Sequence, residues 1–408
     1  MIKIMPKRQW LTPDKAVIAG SILLIIIGTL PVLFKYPPAP SFKLFSQAPA
    51  LGLMAKILMG ICFIAMLFLI DKLSSTQTPN KFFFYSGFLV LSFLLTELHF
   101  YITDIYRLKW QADQYIRILA GTYGPPHQYR FLPQGILWWL CLFSGDFLFS
   151  YLSYRFLFTF AVCLSLYKLS RLYNSHKDSL IVVLGYAVFY PLSILYYYGN
   201  LLDPMFHGVF ILILIYCRNK KFWQVFFLLA LGMFIKETVI LAIPCYYLLN
   251  IESLRLIGKK VFLQMFCLFI ACLFLFLLCR IPFDFRYTLE GLNGTEQLMI
   301  LSNLGFSGGM AQSTVSVFAR YLHPVLFIFI WVPILIYKRK FLSRSLFCTS
   351  MYLAVSIYLT NLCFGWNYES RNFIPALSML LVSTAAVFNQ KTNQAGENTP
   401  TIKQEDLH

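Results

Sequence analysis

Apolar runs separated by short polar connections fill most of the chain. A helix needs about 20 apolar residues, roughly 17 to 25, to cross a bilayer. Runs of that kind fall at 16–34, 50–70, 82–102, 149–170, 180–198, 202–217, 221–236, 238–251, 261–279, 320–337, 345–363 and 372–389. A further run, 134–145, is short and lies between Pro133 and Ser144-Gly145-Asp146. The pattern predicts an all-α fold, a polytopic transmembrane helix bundle of about 12–13 spans. It reads as one multi-pass membrane domain over 1–389. Residues 103–133 form a first large outer loop carrying short surface helices, and 280–319 form a second outer loop. A polar tail, 390–408, reads as disordered and cytoplasmic.

The basic residues set the expected sidedness. Lys3, Lys7, Arg8 and Lys15 place the start of the chain in the cytoplasm. Counting outward, 71–81 is inside and 103–133 outside. "YKLSRLYNSHKDS", "RNKK", "ESLRLIGKK" and "YKRKFLSR" then all fall inside. This requires 134–170 to cross only once, so one of its two runs is re-entrant or partial. No cleavable leader is expected, because the first apolar run ends in "LFKYPPAPS" without a small-residue cleavage site.

Composition agrees. Hydrophobic residues make up 59% of the chain and charged residues 12%, where a soluble protein carries about 25% charged. Mean hydropathy is +0.67. Lys and Arg number 34 against 17 Asp and Glu, but they lie dispersed between apolar runs. This fits cytoplasmic loops and excludes a nucleic-acid patch. The ten cysteines sit almost entirely within apolar runs, with no CxxC pair and no Cys–His cluster. Neither a disulfide framework nor a zinc site is expected.

With sidedness fixed by the bases, the acids Asp104, Asp113, Asp203, Glu237, Asp284, Glu290, Glu296 and Glu369 all fall on the outer side. An ionisable group at membrane depth is expensive and faces a cavity or a partner. Pairing within the bundle, Lys236 with Glu237 and Glu369 with Arg371, is the purely structural alternative.

The densest signal is "TDIYRLKWQADQYIRILAGTYGPPHQYRFLPQ". As a helix, 106–119 puts Trp110, Asp113 and Arg117 on one face and Leu108, Ile116 and Leu119 on an apolar edge. Arg107, Lys109, Arg117 and Arg130 lie outside, against the positive-inside bias. A bound anion such as a lipid phosphate explains them, as does contact with anionic headgroups. "GPPHQYRFLPQ" then returns the chain to the membrane as a stiff turn. His127 has no partner at metal-ligand spacing and reads as a surface histidine. Asp203 before Pro204 has the form of a helix N-cap. "FIKET" and "YESRNFIPAL" place Lys236, Glu237, Glu369 and Arg371 at outer junctions, the last pair beside Trp366 and Tyr368. Asn293-Gly294-Thr295 matches a glycosylation acceptor and reads as chance.

The layout resembles the GT-C superfamily of integral-membrane glycosyltransferases that use polyprenyl-phosphate-linked sugars, in an uncharacterised bacterial branch. "ADQY" and "GPPHQYRFLP" are similar to the acidic and proline elements of that family's first outer loop. "LLDPM" resembles an Asp-Pro element of bacterial lipid-A aminoarabinose transferases. Two departures stand out: the family's frequent acidic pair is Asp113-Gln114 here, and the acidic loop follows a third span rather than the first.

The resemblance implies sugar transfer, with inversion, from a polyprenyl-phosphate donor to a cell-surface glycan or lipid acceptor at the outer face of the bacterial cytoplasmic (inner) membrane. Both chain termini would be cytoplasmic. Asp113 would be the base, with Asp104 second. Arg117, Arg130 and Arg371 would bind phosphate. Asp203, Lys236, Glu237, Trp366, Tyr368 and Glu369 would line the sugar pocket. No metal ligand set and no certain cofactor follow, and a divalent cation stays open. Two rivals use the same residues: a transporter or flippase of a lipid-linked saccharide, and a surface-polysaccharide polymerase or ligase. No repeat relates the two halves, which weighs against the transporter.

Overall fold

The computed structural model describes residues 13–33, 81–103, 105–122, 129–194, 200–251, 258–280, 321–364 and 370–397. Among them there is helix, turn and coil and no strand. The helices are α1 Pro13–Leu33, α2 Lys81–Ile102, α3 Ile105–Leu119, α4 Leu132–Ser144, α5 Phe147–Arg171, α6 His176–Leu192 and α7 Leu202–Arg218. They continue as α8 Phe222–Met233, α9 Cys245–Leu248, α10 Lys259–Leu278, α11 Trp331–Tyr337, α12 Arg344–Phe364 and α13 Ile374–Glu397. Among the described residues, five helical stretches are long and apolar enough to cross a membrane: Phe84–Ile102, Phe147–Arg171, Lys259–Leu278, Arg344–Cys363 and Arg371–Phe388.

Burial separates the helices by role. α7 is apolar and nearly wholly buried, from Leu202 to Cys217, as expected of a helix hydrophobic all round at the centre of a bundle. It packs against α5 and α8, while α5 also packs against α2, α4 and α6. α10 is as apolar but lies open. Phe262, Leu263, Phe266, Ile270 and Phe274 are between 45% and 63% exposed. α3 is amphipathic. Leu108, Ala112, Tyr115, Ile118 and Leu119 are buried, while Trp110, Asp113 and Arg117 share the exposed face as the heptad spacing predicts.

The segment 134–170 holds two helices. α4, at 13 residues, is about 20 Å long, short of the roughly 30 Å hydrocarbon core. α5, at 25 residues, is long enough alone. Gly145 (φ 68°) joins them in the left-handed conformation that glycine adopts without strain. Asp146 then caps α5 by accepting from the Phe149 N–H.

Three expectations change. The run 238–251 is not one helix: Glu237–Ala242 winds as a 3₁₀ helix and Pro244 restarts the chain as short α9. A run of apolar residues does not by itself distinguish a continuous helix from a broken one. The run 320–337 contains a π-helical turn at Val325–Phe329. The last helix continues to Glu397, through the start of the expected disordered tail, because 390–397 contains no proline and several good helix formers. The predicted span 50–70 lies outside the described residues, as does all but Arg280 of the loop 280–319.

Candidate functional site

Alternating connections bring one set of helix ends together: the C-terminal ends of α2, α6, α8, α10 and α12, and the N-terminal ends of α4, α5, α7 and α13. A polar cluster occupies this end of an otherwise apolar bundle. The basic turns holding Arg171, Arg218 and Lys220 lie at the other end.

Asp203 is in the first turn of α7, where the helix dipole favours an acid. It is not the N-cap. Leu201 takes that position with no side-chain bond to the helix. The Asp203 carboxylate turns instead to the segment before α13, where Arg371 Nη1 donates to Asp203 Oδ2 at 3.2 Å. Both side chains are nearly fully buried. One turn along α7, His207 Nε2–H donates to the Arg371 carbonyl at 3.0 Å, so the same short segment is held twice. With Nε2 carrying the hydrogen, Nδ1 of the neutral ring is an acceptor. His207 Nδ1 and Asp203 Oδ1 are both buried and receive no hydrogen bond.

Arg155 is the second centre, two turns into α5 and 1% exposed. Its Nη1 donates to the Asn200 carbonyl (3.2 Å) and the Tyr151 hydroxyl (3.3 Å), and its Nη2 to the Tyr190 hydroxyl (2.8 Å). Tyr151 is itself 3.0 Å from His99 Nε2 on α2. Asp203 lies within electrostatic range of Arg155 and Lys236 as well as Arg371.

Lys236 and Glu237 sit where α8 ends and the 3₁₀ helix begins. Lys236 Nζ donates to Asn372 Oδ1, lies 5.3 Å from the Phe206 ring centre, and Asn372 in turn donates to Asn361 on α12 at 2.8 Å. Glu237 accepts two bonds from Arg130, one from Nε at 3.0 Å and one from Nη2 at 2.5 Å. That is the paired-fork geometry characteristic of Arg with a carboxylate. Gly232 fixes this junction. Its carbonyl accepts from the Lys236 N–H at 2.7 Å, and an added methyl would stand 2.5 Å from Val239 Cγ2.

Of the residues expected from the sequence, Arg130, Asp203, Lys236, Glu237 and Arg371 thus belong to one connected cluster. Among the described residues, Glu237 pairs with Arg130 and Arg371 with Asp203, and both bonds join distant segments. Asp113 is on the exposed face of α3, paired with Arg117 at 3.7 Å with both side chains about half exposed. α3 reaches the cluster indirectly, by packing on α4, which Arg130 precedes. Asp104, His127, Trp366, Tyr368 and Glu369 lie outside the described residues.

The sequence reading passed over Arg155, His99, His207 and Arg280. Arg155 carried a usable signal, a charge well inside the apolar run 149–170 rather than near its end like Lys168, which at membrane depth marks a site. Among the described residues no group of three His, Cys, Asp or Glu is placed to hold a metal ion.

Compared with family models, curated proteins and solved structures, the chain finds no match in any of the three. The functional reading therefore rests on the site.

Proposed function

We propose that the protein is a multi-pass membrane glycosyltransferase. It would move a sugar from a polyprenyl-phosphate donor to a cell-surface glycan or lipid acceptor at the outer face of a bacterial cytoplasmic membrane. The membrane setting is supported by the five long apolar stretches and by α10, whose exposed phenylalanines and leucines are costly in water and not in lipid.

One observation carries the substrate class. Two buried acceptors without donors, Asp203 Oδ1 and His207 Nδ1, stand among Arg155, Lys236 and Arg371. A ligand that suits both must offer hydroxyl groups to the acceptors and negative charge to the cations. A glycosyl phosphate does both.

In the reaction, the acceptor hydroxyl attacks the anomeric carbon and gives its proton to Asp113. The new C–O bond forms as the bond from that carbon to the phosphate oxygen breaks. The lipid phosphate leaves with the electron pair, and its charge is met by guanidinium groups. Sugar hydroxyls hydrogen-bond to Asp203 and His207.

The exposed position of Asp113, tied to Arg117 on its own helix, favours the second reading, a transporter or flippase of a lipid-linked saccharide. It would bind through the same cluster and break no bond. Mass spectrometry of surface glycans and lipids decides between them, in gene-deleted cells complemented with wild type or Asp113→Asn. Loss of one sugar, restored by wild type only, supports transfer. Full restoration by Asp113→Asn supports transport.

A further inference from the structure

Arg280 lies two residues past the end of α10 and is 9% exposed. Its guanidinium lies 3.3 Å from the Phe276 ring centre and 4.3 Å from that of Tyr129. Nη1 donates to the Phe276 carbonyl at 2.8 Å, while Nε is buried and makes no hydrogen bond. Glu237 and Arg130 are both within electrostatic range, but Glu237 already accepts both bonds of the Arg130 fork. Two guanidinium groups thus share one carboxylate in a largely buried corner. Stacking on two rings offsets part of the cost of burying Arg280, but a buried cation with no carboxylate of its own among the described residues remains expensive.

The surroundings say what kind of anion fits. Arg280 stands at the end of α10, the most open apolar helix of the bundle. α10 has 20 residues, hence a length of about 30 Å, matching the hydrocarbon core. The corner therefore joins an anion site to a full-length apolar surface.

We propose that Arg280 and Arg130 bind the phosphate of a membrane-embedded polyprenyl phosphate whose chain lies along α10. The identity of this lipid rests on the glycosyltransferase reading; the paired-arginine phosphate site does not. Arg280 Nε–H donates to a phosphate oxygen, the two guanidinium groups together supply the one positive charge that Glu237 does not offset, and the Tyr129 and Phe276 rings hold the Arg280 plane.

The test is binding by the full chain in phosphatidylcholine nanodiscs. The probes are polyprenyl phosphate, the polyprenol without phosphate, and inorganic phosphate. Wild type is expected to bind the first and neither of the others at comparable concentration. Arg280→Gln should weaken that binding about 10- to 100-fold. Arg280→Lys should fall between, since it keeps the charge and loses the fork. Thermal unfolding of each variant separates a folding defect from a binding defect.

Unchanged binding by Arg280→Gln overturns the inference and leaves the enzyme reading standing. Inorganic phosphate binding as tightly as the lipid overturns the lipid assignment. Wild type binding no polyprenyl phosphate while sugar transfer persists in cells overturns the inference alone. Neither binding nor transfer by wild type overturns both.

Discussion

Arg371 Nη1 donates to Asp203 Oδ2 at 3.2 Å, and the two residues stand 168 positions apart in the chain. The bond ties the first turn of the most buried helix to the segment that starts the last one. Removing one partner of such a buried pair unbalances the charge of the cluster, at a cost of up to about 3–5 kcal/mol. Asp203→Asn and Arg371→Gln should each lower the unfolding midpoint in detergent clearly. The double variant should lose less than the sum of the two. An additive double-mutant cycle would mean that the pair contributes no coupling.

Asp113 should behave in the opposite way. Its side chain is more than half exposed, so Asp113→Asn should shift stability by no more than about 0.5 kcal/mol. If Asp113 is the base, sugar transfer should nevertheless fall by about 10²- to 10⁴-fold. A variant that is stable and fully active removes Asp113 from the mechanism.

Gly232 offers a test of the junction that aims Lys236 and Glu237. In Gly232→Ala the methyl meets Val239, and the 3₁₀ helix must shift to relieve it. Overpacking of this kind costs about 1–3 kcal/mol. Adding Val239→Ala should recover part of the loss. No recovery, measured by thermal unfolding, would place the strain elsewhere.

Arg155 should be intolerant even of lysine. It reaches two tyrosine hydroxyls and a backbone carbonyl at once, which a single ammonium on a different stem cannot match. Arg155→Lys should cost about 1–3 kcal/mol, the penalty for buried groups left unbonded. Stability within error of wild type would show that the network re-forms around lysine.

Cys267 reports on the membrane itself. It is an exposed cysteine on α10. In lipid it lies out of reach of a charged, water-borne reagent. A charged maleimide applied to opened membranes should label wild type no faster than Cys267→Ser. Faster labelling of wild type would put that face of α10 in water.

Much of this was legible in the sequence, for a simple reason. In a chain this apolar, charges at the ends of hydrophobic runs stand out, which is how Arg130, Asp203, Lys236, Glu237 and Arg371 came to be singled out. The face of α3 was legible because its helical spacing separates Trp110, Asp113 and Arg117 from Leu108 and Leu119. Arg155 stayed hidden because one charge barely changes the hydropathy of a long run. Arg280 was counted with the loop that follows it, although it packs back on α10. The break at 237–251 was hidden because apolar residues suit 3₁₀ and α turns equally. Only Pro244 hinted at the restart. Which charges of the buried cluster pair could not be read at all, since both of its ion pairs join segments far apart in sequence.

The spacing of Asp203 and Arg371 also has a consequence for how the protein is made. At about 5–20 residues per second, the ribosome delivers Arg371 roughly ten to thirty seconds after Asp203. Until then α7 holds an acid whose guanidinium partner does not yet exist. A chain interrupted in that interval carries an intramembrane carboxylate without this partner, a mark by which quality control can tell an unfinished copy from a finished one.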